Sequence, residues 1–156
     1  MSNTPFSALL VENVHEDADS ALTSYGPMEI IRASGSPEPV ALKAALKGRS
    51  VLGIRSRTHI DADILDAAPD LQAVGCFCIG TNQVDLAEAA RRGIPVFNAP
   101  FANTRSVAEL TLASIIMLMR RVPEKMFAIH EGGWLKSADG CNEVRKKKLG
   151  IVGYGN

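Results

Sequence analysis

Apolar residues fall in short blocks along this chain, separated by polar stretches with helical spacing. Residues 7–12 (SALLVE) are the first block and predict a strand. Residues 16–25 then place Ala18, Ala21 and Leu22 at helical intervals, and Gly26-Pro27 ends that helix. Residues 28–32 predict a second strand. Ser36-Pro37-Glu38 suits a helix start, with Ser36 as cap and Pro37 in the first turn; Val40, Leu42, Ala45 and Leu46 supply the apolar face up to Gly48. Residues 50–54 (SVLGI) show no alternation, the mark of a strand buried on both faces. Asp61 caps a short helix that Pro69 closes. Residues 71–75 predict a fourth strand, 84–92 a helix ended by Gly93, and 94–97 a fifth strand. Strands alternating with helices over connections of a few residues predict an α/β fold, a parallel sheet flanked by helices.

Beyond Pro100 the pattern changes. Ser106 and Glu109 have the spacing of a capping box, opening a long helix through Val107, Leu110, Ile115, Met117 and Leu118 that Pro123 bends or interrupts. The longest apolar run, 110–119, lies between Glu109 and Arg120-Arg121. A bilayer needs about 20 such residues, so the run predicts a buried helix and not a membrane span. Residues 131–148 are polar and contain glycines, as a connector does. Residues 149–153 (LGIVG) predict the first strand of a new unit.

Composition narrows the class. Of 156 residues, 46% are hydrophobic and 22% charged, which suits a soluble globular protein with a real core. Seventeen basic against seventeen acidic residues exclude the basic surplus of a generic nucleic-acid binder. The N-terminus shows no secretory signal pattern, and three cysteines, an odd number, read as reduced thiols in a cytoplasmic protein. Cys76-Phe77-Cys78 has no second pair at ligand spacing, and His15, His59 and His130 are scattered, so no metal site is expected.

Three segments can carry chemistry. Arg55-Ser56-Arg57-Thr58 follows the third strand, and open α/β sheets bind ligands beyond their C-terminal strand ends. An arginine there can grip a carboxylate or phosphate through two parallel hydrogen bonds; two solvated arginines in a surface loop are the plain alternative. Asn103 and Thr104 stand just before a helix N-terminus, where unpaired N–H groups favour anions or simple capping. Gly153-Tyr154-Gly155 after an apolar strand fits the start of a dinucleotide loop, or a flexible strand-to-turn exit. Lys146-Lys147-Lys148 reads as a solvated edge. There is no nucleophile elbow, zinc-protease helix or complete phosphate loop, and no His/carboxylate acid–base couple.

Together GIRSRTHI (53–60), VGCFCIGTNQVDLAEAARRGIPVFNAPFANTRSVAEL (74–110), GGWLK (132–136) and KKLGIVGYGN (147–156) resemble the D-isomer-specific 2-hydroxyacid dehydrogenases, in register from about Phe6 onward. The resemblance is to the branch that oxidises 3-phospho-D-glycerate to 3-phosphohydroxypyruvate with NAD, the first committed step of L-serine synthesis. It implies a flavodoxin-like substrate domain over 1–104. Residues 105–156 would then be the long helix, connector and first strand of a Rossmann NAD-binding domain, which also forms a dimer interface. Arg55, Ser56, Arg57, Asn103 and Lys136 match substrate-binding positions, and Gly153 and Gly155 match the first two glycines of the NAD loop. Trp134 and Lys136 match a pair that reaches across the dimer. The implied partners are a small phosphorylated 2-hydroxy acid and further copies of the same chain, dimer or tetramer, without nucleic acid or membrane.

Two features depart from the family pattern. Cys76 stands where another branch has an arginine, so that anion contact does not carry over. The family's catalytic Arg, Glu and His have no counterparts up to Asn156, and the chain reads as the N-terminal part of a longer protein, inactive by itself. A different 2-hydroxy acid as substrate, or a non-catalytic fragment whose helix from Ser106 exposes its apolar face, are the alternatives. A receiver domain would need an acidic cluster at the strand ends. Glu12, Glu16 and Asp17 lie near the first, but the third strand ends in Ile54-Arg55.

Overall fold

Five parallel strands frame the first of two compact units, which divide between Ala102 and Asn103 in a computed structural model describing residues 6–154. Its elements in chain order are β1 (Phe6–Leu10), α1 (Asp17–Thr23), β2 (Met28–Arg32), α2 (Pro39–Leu46), β3 (Val51–Ile54), α3 (Ala62–Asp66), β4 (Ala73–Cys76), α4 (Leu86–Arg91) and β5 (Val96–Asn98). The strand order is β2-β1-β3-β4-β5, every pair parallel. The chain starts at β1, steps outward to β2, and returns past β1 to β3. That reversal opens a crevice beyond the C-terminal ends of β1 and β3.

Strand alternation sorts the core onto two faces. The register aligns Ile31, Leu9, Leu52, Val74 and Val96 in one row across the sheet. This face packs against Leu42 and Leu46 of α2, Ile64 and Leu65 of α3 and Ala89 of α4. The next row reads Arg32, Leu10, Gly53, Gly75 and Phe97 on the opposite face. There Leu10 packs with Val14 and with Ala18 of α1. A Cβ on Gly53 would stand 2.5 Å from Leu10 Cδ2 and 2.9 Å from Phe77 Cε2, so only glycine lets the Phe77 ring cross the sheet here.

Helix starts follow local chemistry, with one correction. Asp61 and Asp85 cap α3 and α4, accepting from the amides of Ile64 and Glu88. Helix α2, however, starts at Pro39 with Glu38 at the cap position, and Ser36 caps nothing. A residue before proline is pushed out of the helical region, so Glu38 stays extended at ψ 151° and the helix begins at Pro39, two residues later than expected. The Ser36 hydroxyl instead meets Thr58 Oγ1 at 2.9 Å. Val84, expected in α4, pairs in a β-bridge with Ile60.

The second unit holds α5 (Thr104–Met119) and α6 (Val122–His130). Helix α5 begins before Ser106, which therefore lies in its first turn; Asn103 is at the cap position and makes no side-chain capping bond. The expected capping box is not formed. The helix stops at Arg120–Arg121, with Arg121 at φ +55°, ahead of Pro123 in the first turn of α6. Proline is tolerated in a first turn because its missing N–H has no partner there. Neither helix has a buried residue, so the run 110–119 is helical but not buried as expected. Nor do residues 149–153 form the expected strand; Leu149, Ile151 and Val152 are exposed. A strand needs a neighbouring backbone to satisfy its N–H and C=O groups, and this unit has none among the described residues. No helix among the described residues is long and apolar enough to cross a membrane.

Candidate functional site

The loop between β3 and α3 is built around a buried carboxylate. Beyond β1, Glu12 and Asn13 turn the chain through left-handed conformations, φ +59° and +53°. This geometry costs roughly 1–2 kcal/mol per non-glycine residue. The Glu12 amide donates to the Gly35 carbonyl at 2.7 Å, and its carboxylate, 6% exposed, lies among the amides of the neighbouring loop. Oε1 accepts from Arg55 N at 3.1 Å and Thr58 N at 2.8 Å, and Oε2 from Arg57 N at 3.0 Å. Burial alone would raise the pKa of this group. The Thr58 hydroxyl and the three amides outweigh it and hold the carboxyl below its ordinary 4.5. Glu12 is thus ionised at neutral pH with its lone pairs committed, which suits an internal anion and not a proton acceptor.

Gln83 holds the same loop from the other side. It is buried, and Nε2 donates to the Arg55 carbonyl at 2.7 Å and the Gly80 carbonyl at 3.2 Å. Asn98, closing β5, donates to the Ile79 carbonyl at 2.7 Å. The loops at three strand ends are therefore tied together by side chains.

Arg55, Ser56 and Arg57 project from this frame, exposed. Arg32, Arg49, Arg91 and Arg92 of the same unit all form ion pairs. Arg55 and Arg57 make none, and no side-chain hydrogen bond, among the described residues. Beside them opens a cleft of about 290 Å³, walled by Arg57, Thr58 and His59 opposite Ser36 and the first turn of α2. Of the two free guanidiniums only Arg57 lines this cleft, where it faces the Glu38 carboxylate at the start of α2. Arg55 and Ser56 stand on the same loop outside it, and the exposed pair of guanidiniums on one loop favours a small anion.

The cysteines contribute packing. Cys76 is buried, and burial, then Cys78 and Glu12, push its thiol up to about 11, so it stays protonated. Cys78 is half-buried and donates to the Gly80 carbonyl at 3.2 Å.

The other sequence candidates belong to the second unit. Asn103 is exposed and its amide is not spent on capping α5. Lys136 is exposed in the segment after α6, two residues from an exposed Trp134. Gly153 has φ +83°, with open space where a Cβ would be. Gly155 lies outside the described residues. The structure thus gathers Arg55, Ser56 and Arg57 on one loop. Sequence reasoning missed Glu12 as the centre of that loop, and Gln83 with it. The available signal was an acidic residue directly after the apolar run from Ala8 to Val11, since carboxylates are seldom buried unless paired. Because its oxygens are committed to amides, Glu12 does not serve the acidic cluster of a receiver domain.

Comparison with known proteins identifies the family. A family model described as D-isomer specific 2-hydroxyacid dehydrogenase, catalytic domain, matches residues 8–150. The chain belongs to this family. Within it, the chain is 55% identical over 148 residues to a D-3-phosphoglycerate dehydrogenase from Haemophilus influenzae, covering 95% of this chain and 36% of that one. It spans about a third of the length of this relative. Among solved structures, a Thermus thermophilus protein superposes with a TM-score of 0.76 at 30% identity, over 85% of this chain and 42% of that one. An Entamoeba histolytica 3-phosphoglycerate dehydrogenase solved with NAD+ shares the fold, with a TM-score of 0.62 at 18% identity, over 75% of this chain and 40% of that one.

Proposed function

We propose that this chain supplies the substrate-gripping part of an NAD-dependent dehydrogenase that oxidises 3-phospho-D-glycerate to 3-phosphohydroxypyruvate in L-serine synthesis. The observation that carries this reading is the pair of unpaired guanidiniums, Arg55 and Arg57, flanking Ser56 at the switch point of the sheet. The substrate carries two anionic groups, a carboxylate and a phosphate. A planar guanidinium matches either through paired N–H donors, and two of them on one loop fix the orientation as well as the charge. Asn103 and Lys136 add an amide and a cation to the substrate site of the intact protein, which works as a dimer or tetramer. Residues 1–104 serve as the substrate domain and 105–156 as the opening of the NAD-binding domain.

NAD would accept the hydride from the hydroxyl-bearing carbon of the substrate. Gly153 has the backbone conformation that suits a tight glycine turn, and Gly153 with Gly155 is proposed to approach the pyrophosphate. A complete cradle needs a strand before the turn and a helix N-terminus after it, and the described residues form neither there. No step of hydride transfer is therefore assigned to this chain, and the base for the hydroxyl proton belongs to the part of the relatives that it does not span. The chain's own contribution is binding and orientation.

Titration of the ¹⁵N-labelled chain with 3-phospho-D-glycerate tests the reading. Amide shifts concentrated at residues 55–58, and absent with D-lactate, are expected. Equal response to D-lactate would move the assignment to another 2-hydroxy acid, and no response to either would remove it. Mixed with NAD and 3-phosphoglycerate, the chain alone is expected to produce no NADH.

A further inference from the structure

The family resemblance accounts for Arg55, Ser56 and Arg57, but not for what lies beneath them. We propose that Glu12 and Gln83 are positioning residues for anion capture, clamping the loop so that both guanidiniums are presented in one fixed arrangement. This rests on reading the loop as the substrate grip. Three of the four amides from Arg55 to Thr58 converge on one carboxylate, as they would on a free anion in a backbone nest. The carbonyl of Arg55 is held separately by Gln83 at 2.7 Å. Both polar groups of the Arg55 main chain are thus committed to buried side chains from different parts of the fold. Amides turned inward onto Glu12 leave the side chains of Arg55, Ser56 and Arg57 exposed, while that of Thr58 is buried.

The tethered carboxylate has a second effect. With Glu12 removed, the same amides would form an open anion trap that competes with the guanidiniums for the substrate's carboxylate or phosphate. Glu12 fills that trap permanently, so an incoming anion finds only the side chains. Pre-ordering of the loop also lowers the entropy lost on binding.

The test uses the 156-residue chain with 3-phospho-D-glycerate as probe, read by amide shifts and amide hydrogen exchange. Glu12→Gln, Glu12→Ala and Gln83→Ala should each weaken binding on the order of tenfold, as expected when pre-ordered side chains are released. Exchange at Arg55, Arg57 and Thr58 should quicken, while that of β3 and β4 stays protected. Formate should restore both binding and protection in Glu12→Ala, by refilling the nest, but not in Gln83→Ala. A glutamate that only stabilised the fold would leave binding by the folded variants unchanged. Wild-type binding in the Glu12 and Gln83 variants, or lost binding that formate leaves unchanged while β3 and β4 stay protected, would overturn the clamp. Should Glu12→Ala fail to fold, Glu12→Gln, which keeps the size of the side chain, decides. Should the wild-type chain not respond to the probe, the substrate reading falls. The exchange of residues 55–58 then decides the clamp: faster in the variants upholds it, unchanged rejects it.

Discussion

Helices α2 and α5 are both patterned with apolar residues, yet they meet opposite fates. Helix α2 has only eight residues, and Leu42 and Leu46 are wholly buried against the sheet. Helix α5 has sixteen and buries none; Leu110, Leu112, Ile116 and Leu118 are each more than half exposed. The difference is not in the helices. The first unit contains a sheet whose face α2 can cover, and the second has no sheet among its described residues. An amphipathic pattern states that a face seeks cover, not that the cover is present.

The largest expected effect sets these two regions against each other directly. Leu52→Ala, at the centre of the sheet, should cost about 2–5 kcal/mol in urea unfolding, because it leaves a cavity that close packing cannot refill. Leu118→Ala should stay within about 0.5 kcal/mol, since the side chain is exposed. Comparable losses at the two sites would break the contrast and show that α5 is covered in solution.

Next is Gly53→Ala. The added methyl meets Leu10 and Phe77, and overpacking of this kind costs about 1–3 kcal/mol. Its partner experiment is Gly153→Ala, where a Cβ meets nothing and only the positive φ is penalised. A larger loss at Gly153 than at Gly53 would reverse the assignment of order to the two regions.

Capping gives a smaller, sharper comparison. Asp61→Ala should destabilise by roughly 1 kcal/mol, through the lost bond to the Ile64 amide. Asn103→Ala removes no capping bond and should be near neutral by the same denaturation assay. An equal cost would mean that Asn103 caps α5 in solution.

The smallest effect is in acid. Hydrogen bonds from Arg91 first, then Arg92, hold the Glu88 carboxyl down at about 2, below its ordinary 4.5. A depressed carboxyl contributes stability that is complete above 4.5 and is lost as the pH falls toward 2. An NMR titration of Glu88 should show this low midpoint, and Arg91→Ala should move it upward toward 4.5. An unmoved midpoint would show that the pair does not form.

Legibility followed the range of the forces involved. The five strands, their alternation with helices and the cap at Asp61 could be read because they depend on residues a few positions apart, whereas the cap at Asp85 is passed over when the helix is started at Val84. The α2 start could also have been read, since the rule about residues before proline is local and applies at Glu38. The Arg55–Arg57 loop was visible as a candidate from its position after a strand. Glu12, 43 residues from Arg55, was not visible as its partner, because nothing short-range links them.

By itself, then, the sequence determined the parallel α/β pattern, the helix-forming power of residues 104–130 and the presence of two arginines at a strand end. Only the tertiary structure decided which apolar faces are covered, that residues 149–153 form no strand, and that a buried carboxylate organises the arginine loop. The physical reason is the same in each case. Backbone preference and periodicity act within a few residues, whereas burial, strand pairing and the charge state of Glu12 depend on which distant groups the fold brings alongside.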